Sequence, residues 1–256
     1  MVYRCLCGLG YTNFAVRGNE PDVYDGGYYD HVRYASEAGR AAYLDHLKDF
    51  FLSGARGGTG RRLLDVGCAT GDFVSWALRN DWVAEGIDLS ESAVGIGLAR
   101  GLPLRQCRIE DLAHSEAYYD TITLWDVLEH LADPAGALAI LKERLAPGGV
   151  LMIKTISREA LIDRMARVIH RASLGYVSGP LRRIYVPGHL YCYTRKTLRR
   201  MLDGGGWETG RIVGADTPAM ALSGSRAFRI AFGLLALLQR WSASQYELMA
   251  ECRRAF

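Results

Sequence analysis

Between residues 62 and 155 the chain alternates two apolar patterns. Segments of strand length and pattern fall at 62–66, 83–87, 104–109, 121–124 and 150–155, most of them rich in apolar residues. Between them, apolar residues recur at helical spacing over 73–79, 92–100 and 134–145. Pro134 suits the first turn of the last of these helices, and Pro147-Gly148-Gly149 turns the chain after it. Strands alternating with helices at this spacing predict a parallel sheet covered on both faces. Downstream, 161–172 reads as an amphipathic, Arg-rich helix, and 194–202 as a helix ended by Gly204-Gly205-Gly206. Residues 207–213 and 246–252 read as two more strands, with an apolar, helical 228–241 between them. The fold class is therefore α/β, a doubly wound, mainly parallel seven-stranded sheet.

Upstream of 58 the pattern changes. A Tyr/Asp/Gly-rich stretch, Tyr24 to Asp30, precedes a helical pattern carried by Ala42, Tyr43, Leu44, Leu47, Phe50 and Phe51, and 53–60 is a glycine-rich connector. The expected organisation is an N-terminal cap over 1–57 and one larger α/β domain over 58–256, with a helical lid insertion at about 157–193. The Tyr28-Tyr29 pair is a candidate for closing over a ligand of that domain.

Composition adds mostly exclusions. The 256 residues carry a formal net charge of +3, too small an excess to argue for nucleic acid. No signal peptide and no membrane-crossing stretch are legible, and the six cysteines form no disulfide framework, so a cytoplasmic setting is expected.

The strongest chemical signal is the strand–loop–helix Asp65-Val66-Gly67-Cys68-Ala69-Thr70-Gly71. Glycines there permit positive φ and a close ligand, and N–H groups at a helix start favour an anionic group. The spacing departs from the dinucleotide G-x-G-x-x-G, and the loop lacks the Lys-Ser/Thr of a phosphate loop. Asp88 ends the second strand, where a carboxylate can accept ribose hydroxyls. The ligand so described has a ribose and no pyrophosphate. Asp65 as a turn cap, Asp88 as a helix N-terminal residue and Cys68 as a small packing residue are the plainer readings of the same positions.

These residues resemble motif I of the class I S-adenosylmethionine-dependent methyltransferases, and Gly86-Ile87-Asp88-Leu89-Ser90, Ile109-Glu110-Asp111-Leu112, Asp120 to Leu131 and Leu145 to Gly149 continue the likeness in order. Pro187 to Thr194 is similar to a segment of the ubiquinone O-methyltransferase-like subgroup. The resemblance implies a Rossmann-like methyltransferase fold and S-adenosyl-L-methionine as cofactor. It implies that Asp65, Gly67, Cys68 and Gly71 surround the methionyl part, that Asp88 and Leu89 take the ribose, that Ile109 flanks the adenine, and that the Trp125 backbone approaches from strand four. Arg108 stands where the family usually has Asp or Asn, which leaves Glu110 or Asp111 for the adenine amino group.

Methyl transfer needs alignment, exclusion of water and often a base. His130, beside Asp126 and Glu129 at the end of strand four, is one candidate base, and His189 in the lid among Tyr185, Tyr191 and Tyr193 is the other. The Asp126/Glu129/His130 group has two further readings: capping and packing, or a divalent metal site like the related E-x-x-E-H pattern of the ubiquinone O-methyltransferases. His31, His46, His114 and His170 read as surface or packing residues. Cys5 and Cys7 resemble half of a zinc ribbon, but with no first pair a zinc site is not expected.

The expected function is methyl transfer to a small-molecule acceptor, at a hydroxyl oxygen; C- or N-methylation and a non-catalytic cofactor-binding partner protein are the alternatives. Residues 228–241, flanked by Arg226 and Arg240, suit either weak contact with a membrane surface or burial on the lid or in a homodimer.

Overall fold

A computed structural model describes residues 2–4, 9–12, 37–54, 61–174, 176, 188–218, 233–234, 239 and 244–255. Cys5, Cys7, the Tyr28-Tyr29 pair, Tyr185, Pro187 and most of 228–241 lie outside the described residues.

The sheet is built from β3 (Arg62–Val66), β4 (Val83–Asp88), β5 (Leu104–Gln106), β6 (Tyr119–Trp125), β7 (Leu145–Ile156), β9 (Trp207–Ala215) and β10 (Glu247–Arg254). Their spatial order is β5-β4-β3-β6-β7-β10-β9. β5, β4, β3, β6 and β7 run parallel, and β10 is antiparallel to both its neighbours. The helices are α1 (Glu37–Gly54), α2 (Asp72–Leu78), α3 (Glu91–Ala99), α4 (Pro134–Arg144), α5 (Leu161–Ala172) and α6 (Arg195–Gly204). A second, three-stranded antiparallel sheet joins β1 (Val2–Arg4), β2 (Gly10–Thr12) and β8 (Tyr191–Cys192). The doubly wound, mainly parallel seven-stranded sheet is thus the observed architecture.

Alternation along each strand sends neighbouring side chains to opposite faces. Leu64, Val66, Ile122, Leu124, Leu151 and Ile153 join Leu138 and Leu141 of α4 and Leu198 and Leu202 of α6 in one core. Leu63, Trp125, Val150 and Met152 face the other way, onto Phe73 and Trp76 of α2 and Leu47, Phe50 and Phe51 of α1. Phe51 is fully buried, with its ring 5.3 Å from Phe73, 5.5 Å from Trp76 and 5.1 Å from Trp82, all edge-on. Helix α1, which falls within the expected cap, packs its Leu47, Phe50 and Phe51 against this face of the sheet.

Two boundaries differ from the sequence expectation. Helix α4 stops at Arg144 and β7 starts at once, with Leu145 paired to Tyr119. The Pro147-Gly148-Gly149 turn lies within this strand, beside a register shift between Tyr119 and Thr121, with Gly148 at φ 75°. β5 ends at Gln106, because Ile109 already precedes a 3-10 turn over Glu110–His114.

Candidate active site at the ends of β3, β4 and β6

In open parallel sheets ligands bind beyond the carboxyl ends of the strands, where the strand order reverses. Here β4 lies to one side of β3 and β6 to the other, so the reversal falls at the end of β3. The loop that follows has Gly67 at φ 71°, Ala69 at 49° and Gly71 at 80°. A Cβ on Gly67 would sit 2.3 Å from Val127 Cγ2, so this glycine serves both the left-handed turn and the approach of the β6 loop. Asp88 fastens the glycine loop. Its buried carboxylate accepts from the Ala69 N–H at 2.8 Å and the Ser90 N–H at 2.9 Å. A carboxylate at this strand end, with about four acceptor sites on its two oxygens, is of the type that accepts ribose hydroxyls.

Asp65 lies beneath the loop and accepts from Thr123 Oγ1 at 2.7 Å. Burial pushes its carboxyl up to about 7; the Thr123 bond opposes this and the Asp88 charge adds to it. A buried carboxyl in that state is stabilised as an anion by a cation, which S-adenosylmethionine supplies as ammonium and sulfonium. The loop conformation, the ribose-compatible Asp88 and the buried Asp65 together fit that cofactor. Cys68 is buried, its thiol raised by burial, and a Cβ on Gly86 would meet it at 2.7 Å; it packs rather than reacts. The Leu89 carbonyl accepts from Gln106 Nε2 at 3.2 Å. Ile109 is buried at the start of the 3-10 turn. Glu110 is exposed and lies 3.4 Å from Arg108, while Asp111 accepts from the Arg108 N–H, so both carboxylates have local partners. The Trp125 side chain turns down into the core, with its ring 5.3 Å from Phe73.

Beyond Trp125 the chain enters the left-handed region at Asp126, φ 58°. The following segment brings the two candidate bases together. The Glu129 carbonyl accepts from the Leu190 N–H at 2.7 Å and the Tyr191 N–H at 3.2 Å, which lays the His189 segment along 129–130. The His130 and His189 rings then meet edge-on at 4.7 Å. His130 Nδ1 lies 3.0 Å from the Gly188 carbonyl; a carbonyl only accepts, so a neutral ring carries its lone pair on Nε2. Glu129 is fully buried and accepts from Thr155 at 2.8 Å through one oxygen, while Oε1 has no hydrogen-bond partner among the described residues. Burial, reinforced by the Asp126 charge, pushes its carboxyl up to about 7. Ligand atoms of Glu129, His130 and His189 all lie within 4.8 Å of one another, close enough for one metal ion.

The grouping of Asp126 with Glu129 and His130 needs correction. Asp126 points instead at Lys154 of β7, whose ammonium is fully buried and lies 2.6 and 2.8 Å from the two carboxylate oxygens. Tyr43 of α1 also donates to Asp126. Lys154 reaches Glu247 of β10 at 2.8 Å, and Glu247 in turn meets His46 at 3.2 Å and Thr217. His46, read from sequence as a surface or packing residue, closes this buried network. The signal that would have found it is a lysine inside an otherwise apolar strand.

A family model described as "Methyltransferase domain" matches residues 34–210. Ubiquinone biosynthesis O-methyltransferases from Alkalilimnicola ehrlichii and Marinobacter nauticus are 35% and 37% identical over 106 and 109 residues. Each alignment covers 39% of this chain and 43% or 45% of the relative, so the chain spans less than half the length of these proteins. Among solved structures, a putative methyltransferase in complex with the Trm112 methyltransferase activator of Haloferax volcanii superposes with a TM-score of 0.66 at 14% identity, covering 93% of this chain and 98% of that one. Magnesium protoporphyrin IX methyltransferase from Synechocystis, with bound S-adenosylhomocysteine, gives 0.60 at 15% identity, covering 92% and 98%. At these identities the structures speak to the fold. Because the family model spans most of the sequence, including the glycine loop, Asp88 and both histidines, the chain belongs to the methyltransferase domain family of class I, S-adenosylmethionine-dependent enzymes.

Proposed function

We propose that the protein transfers the methyl group of S-adenosylmethionine to a hydroxyl oxygen of a small-molecule acceptor. The observation that carries this reading is the meeting of His130 and His189 over buried Glu129, on the loop whose Val127 touches Gly67. The names of the ubiquinone O-methyltransferase relatives point to the same chemistry. When bound, the cofactor supplies an electrophilic methyl on a sulfonium. The chain's own residues orient the acceptor, exclude water and hold the hydroxyl proton. In organisation, we read 1–57 as an N-terminal cap and 58–256 as the methyltransferase domain, with 157–193 as its lid.

A base that takes the proton contributes about 10²–10⁴-fold. Replacing the histidine that does so, His130→Ala or His189→Ala, is expected to lower turnover at least about a hundredfold while calorimetric affinity for S-adenosylmethionine stays near normal. Near-normal turnover in both single variants would leave catalysis by positioning alone. The spacing of Glu129, His130 and His189 favours a second reading, a divalent metal held by these three. Activity lost to a chelator and restored by magnesium is the expected result if the metal acts.

We also propose weak contact with a membrane surface through 228–241 and α5. On α5, Met165, Val168 and Ile169 are exposed beside Arg164, Arg167 and Arg171. Among the described residues no helix is long and apolar enough to cross a membrane; the contact proposed is one with the interface. Co-sedimentation with anionic vesicles at low salt, weakened at high salt, is the expected outcome. No co-sedimentation at low salt eliminates the contact and a lipid acceptor with it.

A further inference from the structure

We propose that Arg158 recognises an anionic group, a carboxylate or a phosphate, on the acceptor, resting on the methyltransferase reading above. Arg158 lies two residues past the end of β7, on the rim that carries Glu129 and His189. Its N–H donates to the Tyr193 carbonyl at 2.7 Å, and the adjacent Ser157 bridges to Tyr193. The side chain runs across Gly10 of β2. A Cβ there would lie 2.8 Å from Arg158 Nη1 and 2.9 Å from Cδ, so the glycine is what admits the guanidinium.

Among the described residues, Arg158 Nη1 is buried without a hydrogen-bond partner and the guanidinium makes no ion pair. The neighbouring carboxylates are engaged elsewhere. Glu159 lies 3.4 Å from Arg195 and also accepts its backbone N–H at 3.0 Å. Asp163 pairs with Arg167 at 2.8 Å, and Glu129 accepts from Thr155 through one of its two oxygens. Gly10 pairs with Cys192 of β8, so the Arg158 side chain lies along the strand that follows His189.

Arg158 is half-buried, and one buried N–H of its guanidinium without a partner is costly, a group that a water or a ligand must complete. Guanidinium is a planar fork that grips carboxylate or phosphate through two parallel bonds. An acid group seated there would anchor the acceptor beside the histidine pair.

The test uses the full chain saturated with S-adenosylhomocysteine and three probes, benzoate, phenyl phosphate and neutral benzyl alcohol, followed by ligand-observed NMR. At least one anion is expected to bind about tenfold or more tightly than benzyl alcohol, and which anion wins distinguishes carboxylate from phosphate. Arg158→Gln is expected to abolish the preference and Arg158→Lys to keep part of it. Gly10→Ala, which displaces the guanidinium and keeps its charge, is expected to weaken it. Equal binding of all three probes, no anion binding to wild type, or a preference that Arg158→Gln leaves intact overturns the proposal. Calorimetry of S-adenosylhomocysteine separates the failures: its binding without anion binding sinks this inference alone, whereas its absence in wild type sinks the methyltransferase reading.

Discussion

Lys154→Met is expected to destabilise the protein by about 3–5 kcal/mol, the range for removing one partner of a buried ion pair. The ammonium is fully buried between Asp126 and Glu247, and the Tyr43 ring lies 5.0 Å away. Methionine fills similar space but leaves two carboxylates facing each other out of water. Total stability of a domain is about 5–15 kcal/mol, so the variant loses a large part of it, roughly 6–20 °C in melting temperature for a chain of this size. Adding Asp126→Asn and Glu247→Gln to Lys154→Met should restore much of the loss, since the uncompensated charge is the cause. Urea unfolding of the single and triple variants checks both statements; a single variant within about 1 kcal/mol of wild type would mean that water reaches the network.

The network also sets a pH dependence. Burial pushes the Glu247 carboxyl up, but the Lys154 charge and the bond to His46 more than offset it, so it ends below its ordinary value of 4.5. A carboxyl lowered by folding stabilises the native state above that ordinary value, and the contribution is lost as pH falls through the lowered one. Acid unfolding of Glu247→Gln should therefore be shallower than that of wild type.

The parts of the fold that local pattern controls were legible in the sequence. The parallel strands are short apolar runs, the glycine loop needs positive φ at Gly67 and Gly71, and Asp88 falls at a strand end. What local pattern cannot carry is pairing between distant segments. Lys154 sits in an apolar run whose neighbours say only that the strand is buried; its partners come from the end of β6 and from β10. The same limit misassigned Asp126. Its closeness to Glu129 and His130 in sequence suggested a shared site, but φ 58° turns the backbone there and the carboxylate goes to Lys154. His189 could be suspected from its aromatic company, yet its contact with His130 depends on the Glu129 carbonyl holding Leu190 and Tyr191. Arg158 gave no signal at all, because the absence of a partner is a property of three dimensions.

Asp88→Ala is expected to weaken S-adenosylmethionine by at least about ten- to a hundredfold. A hydrogen bond to a charged group contributes about 1.5–3 kcal/mol, and the tenfold step is about 1.4 kcal/mol. Two losses act together. The carboxylate proposed to accept ribose hydroxyls disappears, and so do its bonds to the Ala69 and Ser90 N–H groups, which hold the glycine loop against the end of β4. Because Ala69 is kept at φ 49° in this loop, its release also lowers the population of the binding-competent form. Asp88→Glu separates the two effects: it keeps the charge for ribose but moves the acceptors, so its affinity should lie between wild type and Asp88→Ala. S-adenosylhomocysteine, which carries the same ribose, should lose as much as S-adenosylmethionine in each variant. Calorimetric affinity unchanged in a folded Asp88→Ala protein would place the ribose elsewhere. A loss confined to the methylated cofactor would mean that Asp88 acts on the sulfonium charge and not on the hydroxyls.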